Sequence, residues 1–276
     1  MDAFLDTTIL CDSLLAEDAR QKAVRQALST YQKTELPIYA LREFRSGALA
    51  NWVLGHNVLT SSATFAEAGT LMSRRGAFAP RKLSVGMTAL SQGLSAVLNV
   101  PATALPAPFH SGQGTAEEAL KREVEAWIAR KVFQAWQKRK KVASHHTHPL
   151  GCFIDSDLAM VGNQIRPKDE RWECATGATC GAALELKQQT ADVEALVEAL
   201  KEPGEGKKEK SETSGRRRAL KDVLAKTPKE FSHKRCRAIG DAYFCIVAPK
   251  AADILTSNKV DFEPLAAPLN KKLKVI

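Results

Sequence analysis

The chain has 276 residues, 44% hydrophobic and 26% charged, enough to bury a full core as one large domain or one domain carrying an elaborate insertion. Its 40 Lys and Arg against 31 Asp and Glu leave a net charge of +9, concentrated in "KREVEAWIARKVFQAWQKRKK" and "KKEKSETSGRRR", which favours a polyanionic partner. No apolar run is long enough to cross a bilayer, and Asp2 and Asp6 stand where an export signal would carry Lys or Arg, so no membrane partner and a cytoplasmic location are expected.

Residues 3–5 (Ala-Phe-Leu) predict a short apolar strand that ends at Asp6, Thr7 and Thr8. In "ILCDSLLAEDARQKAVRQAL", Ile9, Leu10, Leu14, Leu15, Val24 and Leu28 fall near helical spacing and predict a helix. The turn-like "QKTELP" leads into "IYALREFRSGALANWVL", a second amphipathic helix with Glu43 in its first half. "HNVLTSSATF" fits a strand or a helix, "VGMTALSQGLSAVLNV" reads as helical, and "PATALPAPFHSGQG" is a loop by its Pro and Gly content. Thr115 with Glu118 three residues on is a capping-box signature. It opens a long helix with Leu120, Val124, Trp127, Ile128 and Trp136 near one stripe, which makes the two tryptophans core residues rather than base-stacking platforms. The closing "KRKK" suits the negative end of the helix dipole.

"GCFIDSDLAMV" is a strand candidate in which Asp155 and Asp157 read as turn residues. Thr190 is placed to cap a helix bearing Val193, Leu196, Val197 and Leu200, and "EPGEGKKEKSETSGRRR" has no apolar content to bury and reads as a linker. "CRAIGDAYFCIVAPKA" predicts an apolar helix starting near Gly240 and Asp241 and stopping around Pro249. "DILTS" is then a short strand, Asn258-Lys259-Val260 a turn, and "DFEPLAAPLNKKL" a closing segment. The six cysteines are scattered without a C-x-x-C pair and read as reduced thiols. A zinc site from His145, His146, His148 and Cys152 is the alternative, on a spacing that no standard ligand pattern uses.

Apolar strands that end on acids, alternating with helices, are α/β grammar, and in an open parallel sheet function lies beyond the carboxyl ends of the strands. Singly, each acid has an ordinary explanation: Asp6 as a helix cap, Glu43 as a solvated face residue, Asp241 as an acid favoured by the helix dipole. Their order is more specific. "FLDTTIL" with Asp6, "ALREF" with Glu43, "IGDAYFCIVA" with Asp241 and "ILTSNKVDF" with Asp261 together resemble the PIN domain, a metal-dependent nuclease family. Thr8 stands where that family more often has Asn or Ser.

The resemblance implies a PIN-like α/β fold, with a short central parallel sheet flanked by helices and a large, mainly helical insertion. The nuclease core would be residues 1–65 and 216–276, the insertion 66–202 with a strand near 152–161, and the linker 203–215. Asp6, Glu43, Asp241 and Asp261 would be the catalytic acids and the ligands of Mg²⁺ or Mn²⁺, with Thr7, Thr256 and Asn258 holding the carboxylates by hydrogen bonds. The implied activity is metal-dependent endonuclease cleavage, foremost of RNA with DNA as the other substrate class, in a toxin, an RNA-processing enzyme or a defence effector. An antitoxin or defence-complex protein and a second copy of the chain are the implied protein partners. Lys121, Arg122, Arg130, Lys131, Lys138, Arg139, Lys140, Lys141, Arg216, Arg217 and Arg218 are the candidate phosphate contacts. The alternative is a catalytically silent PIN-like module that binds RNA or protein.

Overall fold

A computed structural model describes residues 1–76, 80–99, 115–172, 174, 177–201 and 211–276. The expected loop at 101–114 and most of the expected linker lie outside the described residues. In chain order the elements are β1 (Asp2–Leu5), α1 (Thr7–Leu14), α2 (Asp18–Leu28), β2 (Lys33–Pro37), α3 (Ile38–Phe44), a π-helical stretch (Arg45–Leu49), α4 (Ala50–Ser61), α5 (Phe65–Gly76), α6 (Pro80–Leu98) and α7 (Ala116–Lys138). A 3-10 turn (Arg139–Lys141) follows, then β3 (His145–Thr147), β4 (Leu158–Val161), β5 (Gln164–Pro167), α8 (Gly181–Leu186), α9 (Thr190–Ala199) and α10 (Ser211–Ala225). The chain closes with α11 (His233–Val247), β6 (Asp253–Thr256), α12 (Lys259–Ala266) and β7 (Lys272–Val275). Two compact units result: residues 1–44, 139–155 and 173–276 form the first, and residues 45–138 and 156–172 the second.

The first unit holds a five-stranded sheet in the order β3-β2-β1-β6-β7, and every pairing in it is parallel. The α/β class and the central parallel sheet are therefore as the sequence leads one to expect. β1 lies in the middle, with Ala3 opposite both Thr34 and Asp253. Ala3, Phe4 and Leu5 are all fully buried, which is why this strand is a continuous apolar run rather than an alternating one.

Several elements differ from their sequence-based expectation, each for a local reason. The helix expected over residues 9–28 is two helices. Leu15 and Ala16 both return their N–H groups to the Cys11 carbonyl, and Glu17, in extended conformation, starts α2 afresh. The "QKTELP" turn is instead strand β2, whose polar residues hide it from an apolar-periodicity reading. Thr34 is buried and reciprocally bonded to Ser144: its N–H donates to Ser144 Oγ at 3.0 Å, and Ser144 N–H donates to Thr34 Oγ1 at 2.9 Å. Lys33 and Glu35 form an ion pair along the same strand. His145 and His146 are likewise strand residues, opposite Glu35 and Leu36.

Only the end of "GCFIDSDLAMV" is extended, as β4, and it pairs antiparallel with β5 outside the five-stranded sheet. Thr190 is the first residue of α9 and donates its hydroxyl to the Lys187 carbonyl at 3.0 Å, rather than capping the helix. α10 starts at Ser211, inside the segment read as linker. α11 begins at His233, where Ser232 Oγ accepts from Arg235 N–H, so Gly240 is a kink within the helix instead of its start. Asn258 caps α12, and β7 lies in what reads as a closing tail.

In the second unit the capping box at Thr115 and Glu118 forms as expected: Thr115 N–H donates to Glu118 Oε2 at 2.8 Å and Glu118 N–H to Thr115 Oγ1 at 3.2 Å. Val124, Ile128 and Trp136 of α7 are buried, while Trp127 is half-buried against Trp52, with ring centroids 6.1 Å apart. Arg45, 1% exposed, lies over the Trp136 ring and donates to Asp169 Oδ1 at 2.7 Å, and to Ser156 Oγ and the Arg171 carbonyl at the same distance. Removing one partner of a buried ion pair leaves the other charge uncompensated in low dielectric. Asp169→Ala should therefore lower unfolding stability by about 3 kcal/mol, read from urea denaturation. Among the described residues no helix is long and apolar enough to cross a membrane.

Candidate functional site

The site is built at the carboxyl ends of β1 and β6. Asp6 follows β1 directly, and its own N–H donates to the Leu255 carbonyl of β6 at 3.2 Å. Its carboxylate, 1% exposed, accepts four hydrogen bonds. Oδ1 takes Thr8 N–H (2.8 Å), Thr8 Oγ1–H (2.6 Å) and Ile9 N–H (3.2 Å), and Oδ2 takes Thr256 Oγ1–H (2.8 Å). Asp6 thus caps α1, as its ordinary explanation requires, yet it also reaches across to β6. Thr8 also joins two elements, since its Oγ1 accepts from Ser257 N–H at 2.9 Å and ties the start of α1 to the turn after β6.

Glu43 comes from α3, one residue before the unit's end, and its Oε2 accepts from the Thr7 hydroxyl at 2.7 Å. The π-helical stretch starts two residues later, a distortion often found beside functional side chains. On the other side is the Gly240 kink of α11. A Cβ at Gly240 would lie 3.2 Å from Glu43 Oε1, closer than nearly all such contacts, so the missing side chain lets the α11 backbone approach the carboxylate. Asp241, the next residue, accepts from Arg216 Nη2 of α10 at 2.6 Å.

Asp241 acts on both of the other acids. Burial pushes the Asp6 carboxyl up to about 7 against the pull of its Thr8, Thr256 and Ile9 hydrogen bonds, and the Asp241 charge adds to the rise. Burial likewise raises Glu43 to about 7, opposed by the Thr7 bond and by the Arg42 charge, and Asp241 again contributes upward. Asp241 thus links Asp6 and Glu43 electrostatically, and a positive charge near Asp241 would favour the ionised form of both. Asp261 is held locally in the first turn of α12: its Oδ2 accepts from Asn258 Nδ2 at 2.7 Å, and its N–H donates to Asn258 Oδ1 at 3.4 Å. Of the expected holding residues, Thr7 bonds Glu43 and Thr256 bonds Asp6, while Asn258 bonds Asp261 and gives its N–H to Thr256 Oγ1 at 2.9 Å.

The chain matches no protein-family model, no curated protein and no solved structure. What the site can do rests on its own chemistry. Its donors are carboxylate and hydroxyl oxygens, the set that suits a hard divalent cation. Among the described residues no three His, Cys, Asp or Glu side chains are already gathered as a metal-binding group, and a guanidinium, Arg216, sits on Asp241.

The candidate phosphate contacts have varied settings. Lys121 pairs with Glu125 at 2.7 Å, and Lys131 lies over the Trp127 ring. Arg122, Arg130, Lys138 and Lys141 are exposed. Arg139 and Lys140 both pair with Asp155, at 2.7 and 2.5 Å, so that acid is an ion-pair anchor rather than a simple turn residue. Arg217 donates to the Val197 carbonyl, and together with Ser214, Arg218 and Lys221 it lines a basic pocket on α10. The Arg216 contact and the bridging role of Thr8 carry no signal in the sequence, because each depends on a contact made far along the chain. The alternative His145, His146, His148 and Cys152 grouping is not formed: His145 and His146 are in β3, His148 bonds Glu185, and Cys152 Sγ accepts from Gly181 N–H at 3.4 Å.

Proposed function

We propose that the protein is a PIN-like, Mg²⁺- or Mn²⁺-dependent endoribonuclease. The observation that carries this reading is that Asp241 lies within electrostatic range of both Asp6, beyond the carboxyl ends of β1 and β6, and Glu43, although the three acids are more than 200 positions apart at the extremes. Asp6, Glu43 and Asp241 would hold the ion, and Asp261 would stand at the margin of the site. When bound, the ion supplies a nucleophilic hydroxide near neutral pH and charge compensation at the scissile phosphate. Thr7, Thr8 and Thr256 orient the carboxylates, so the oxygens are aimed before an ion arrives. The basic pocket on α10 offers phosphate contacts that position a strand without choosing its sequence. An antitoxin or defence-complex partner and a homodimer belong to the same proposal.

The test is turnover. The purified chain should cleave single-stranded RNA when Mn²⁺ or Mg²⁺ is added and stop when a chelator is added, read on labelled oligonucleotides. Binding of RNA without turnover under any divalent ion would favour the silent binding module instead.

A further inference from the structure

Four of the six cysteines converge on one place in the first unit, although no two of them are in the same element. Cys152 lies in the loop after β3, Cys174 in the stretch before α8, Cys180 at the start of α8 and Cys236 in α11. All four are buried. Cys174 lies close to Cys152 and Cys236 close to Cys180, while Cys180 is also within electrostatic range of both members of the other pair. A backbone N–H, that of Gly181, points at Cys152 Sγ from 3.4 Å. Beside them is the fully buried Arg42, a cation whose charge reaches Cys152, Cys174 and Cys236.

We infer that Cys152, Cys174, Cys180 and Cys236 form a structural, tetrahedral zinc site. Arg42, which lies over the Tyr39 ring, brings a permanent positive charge to three of these sulphurs. Four thiolates on one Zn²⁺ carry a net charge of two minus, half of which Arg42 offsets, and the Gly181 N–H is a donor of the kind that steadies a metal-bound sulphur. In the structure the four sulphurs are not yet gathered around one point, so the ion draws them together. Each ligand gives up its thiol proton to solvent as the Zn–S bond forms, and no electrons are transferred.

The location gives the ion a structural role. The chain leaves the first unit after residue 155 and returns to it at residue 173, and Cys152 and Cys174 bracket that excursion. Cys236 lies five positions before Asp241 on α11, and its carbonyl accepts the Tyr39 hydroxyl of α3 at 2.5 Å. The zinc therefore staples the helix that carries Asp241 to two otherwise irregular segments. This assignment is independent of the nuclease reading, because soft thiolate ligands and hard carboxylate ligands select different ions.

The experiment is metal analysis of the full chain, expressed with zinc and purified without chelator. One zinc ion per chain is expected, released by a thiol-blocking mercurial. Cys174→Ser and Cys180→Ser should each lose most of it, and Cys11→Ser should retain it. Because the ligand variants can misfold, the wild-type chain is also reconstituted with Co²⁺, which should give thiolate-to-metal charge transfer and the visible bands of a tetrahedral tetrathiolate. A metal-free chain whose thiols all react would overturn the assignment. So would iron with acid-labile sulphide, disulfides between the pairs, or zinc retained by both ligand variants.

Discussion

Asp6→Asn and Asp241→Asn should each lower Mn²⁺-supported cleavage of single-stranded RNA by at least about a hundredfold, the scale of losing one preorganised electrostatic group. The Asp6 substitution separates charge from structure. Asn caps a helix nearly as well as Asp, so its Oδ1 can keep the Thr8 and Ile9 bonds that hold α1. Its amide can donate to Thr256 Oγ1, reversing a bond in which Asp6 is the acceptor. The secondary structure seen by circular dichroism should therefore be unchanged while activity falls. Asp241→Asn removes the partner of Arg216 as well as an acid of the site, so its loss of cleavage should come with altered mobility of α10, visible in hydrogen exchange. Undiminished cleavage by either variant would refute a site shared between β1 and α11.

The second large effect is on stability. With a folded pKa near 7 against 3.8 in the unfolded chain, Asp6 binds its proton more tightly when folded. Its stabilising contribution is complete below about pH 3.8 and disappears as pH rises through 7. The shift corresponds to roughly 4 kcal/mol at one pKa unit per 1.36 kcal/mol, a large share of a typical folding free energy. Glu43 moves in the same direction, with a smaller contribution because its side chain is partly in solvent. Without divalent ions, Tm should fall between pH 5 and pH 8, and the fall should be flatter in Asp6→Asn. Mn²⁺ should restore Tm at pH 8 and have little effect at pH 5, where protons hold the carboxylates. Parallel pH profiles for wild type and Asp6→Asn in differential scanning fluorimetry would rule out this account.

How much of this can be read from the sequence depends on whether a residue's surroundings are local. β1 and β6 are buried on both faces and show themselves as apolar runs that stop at Asp6 and Thr256. The capping box at Thr115 is legible because both of its bonds join residues three apart. β2 is not, since Thr34 is satisfied by Ser144, 110 positions away. β7 is short and mostly exposed, with Lys at alternate positions, and offers no hydrophobic pattern. The α11 start is obscured for the opposite reason: Gly240 reads as a helix boundary, but here it serves a close approach to Glu43 inside a helix. The order of acids is recoverable because each follows or sits within an apolar run. The Arg216 contact to Asp241 and the meeting of the four cysteines are not, because neither leaves a periodicity or a standard spacing.

The central position of β1 has a consequence for how the protein is made. Asp6 leaves the ribosome 250 residues ahead of its partner Thr256, and β1 has only β2 beside it until β6 follows. Contacts that distant close late, after the intervening chain has been synthesised. Asp6 and Thr256 can meet only when translation has passed β6, so every shorter nascent chain lacks the strand and the hydroxyl that hold the Asp6 carboxylate. If the proposed nuclease reading holds, a ribosome carrying an unfinished copy is thereby spared that activity at its own exit tunnel.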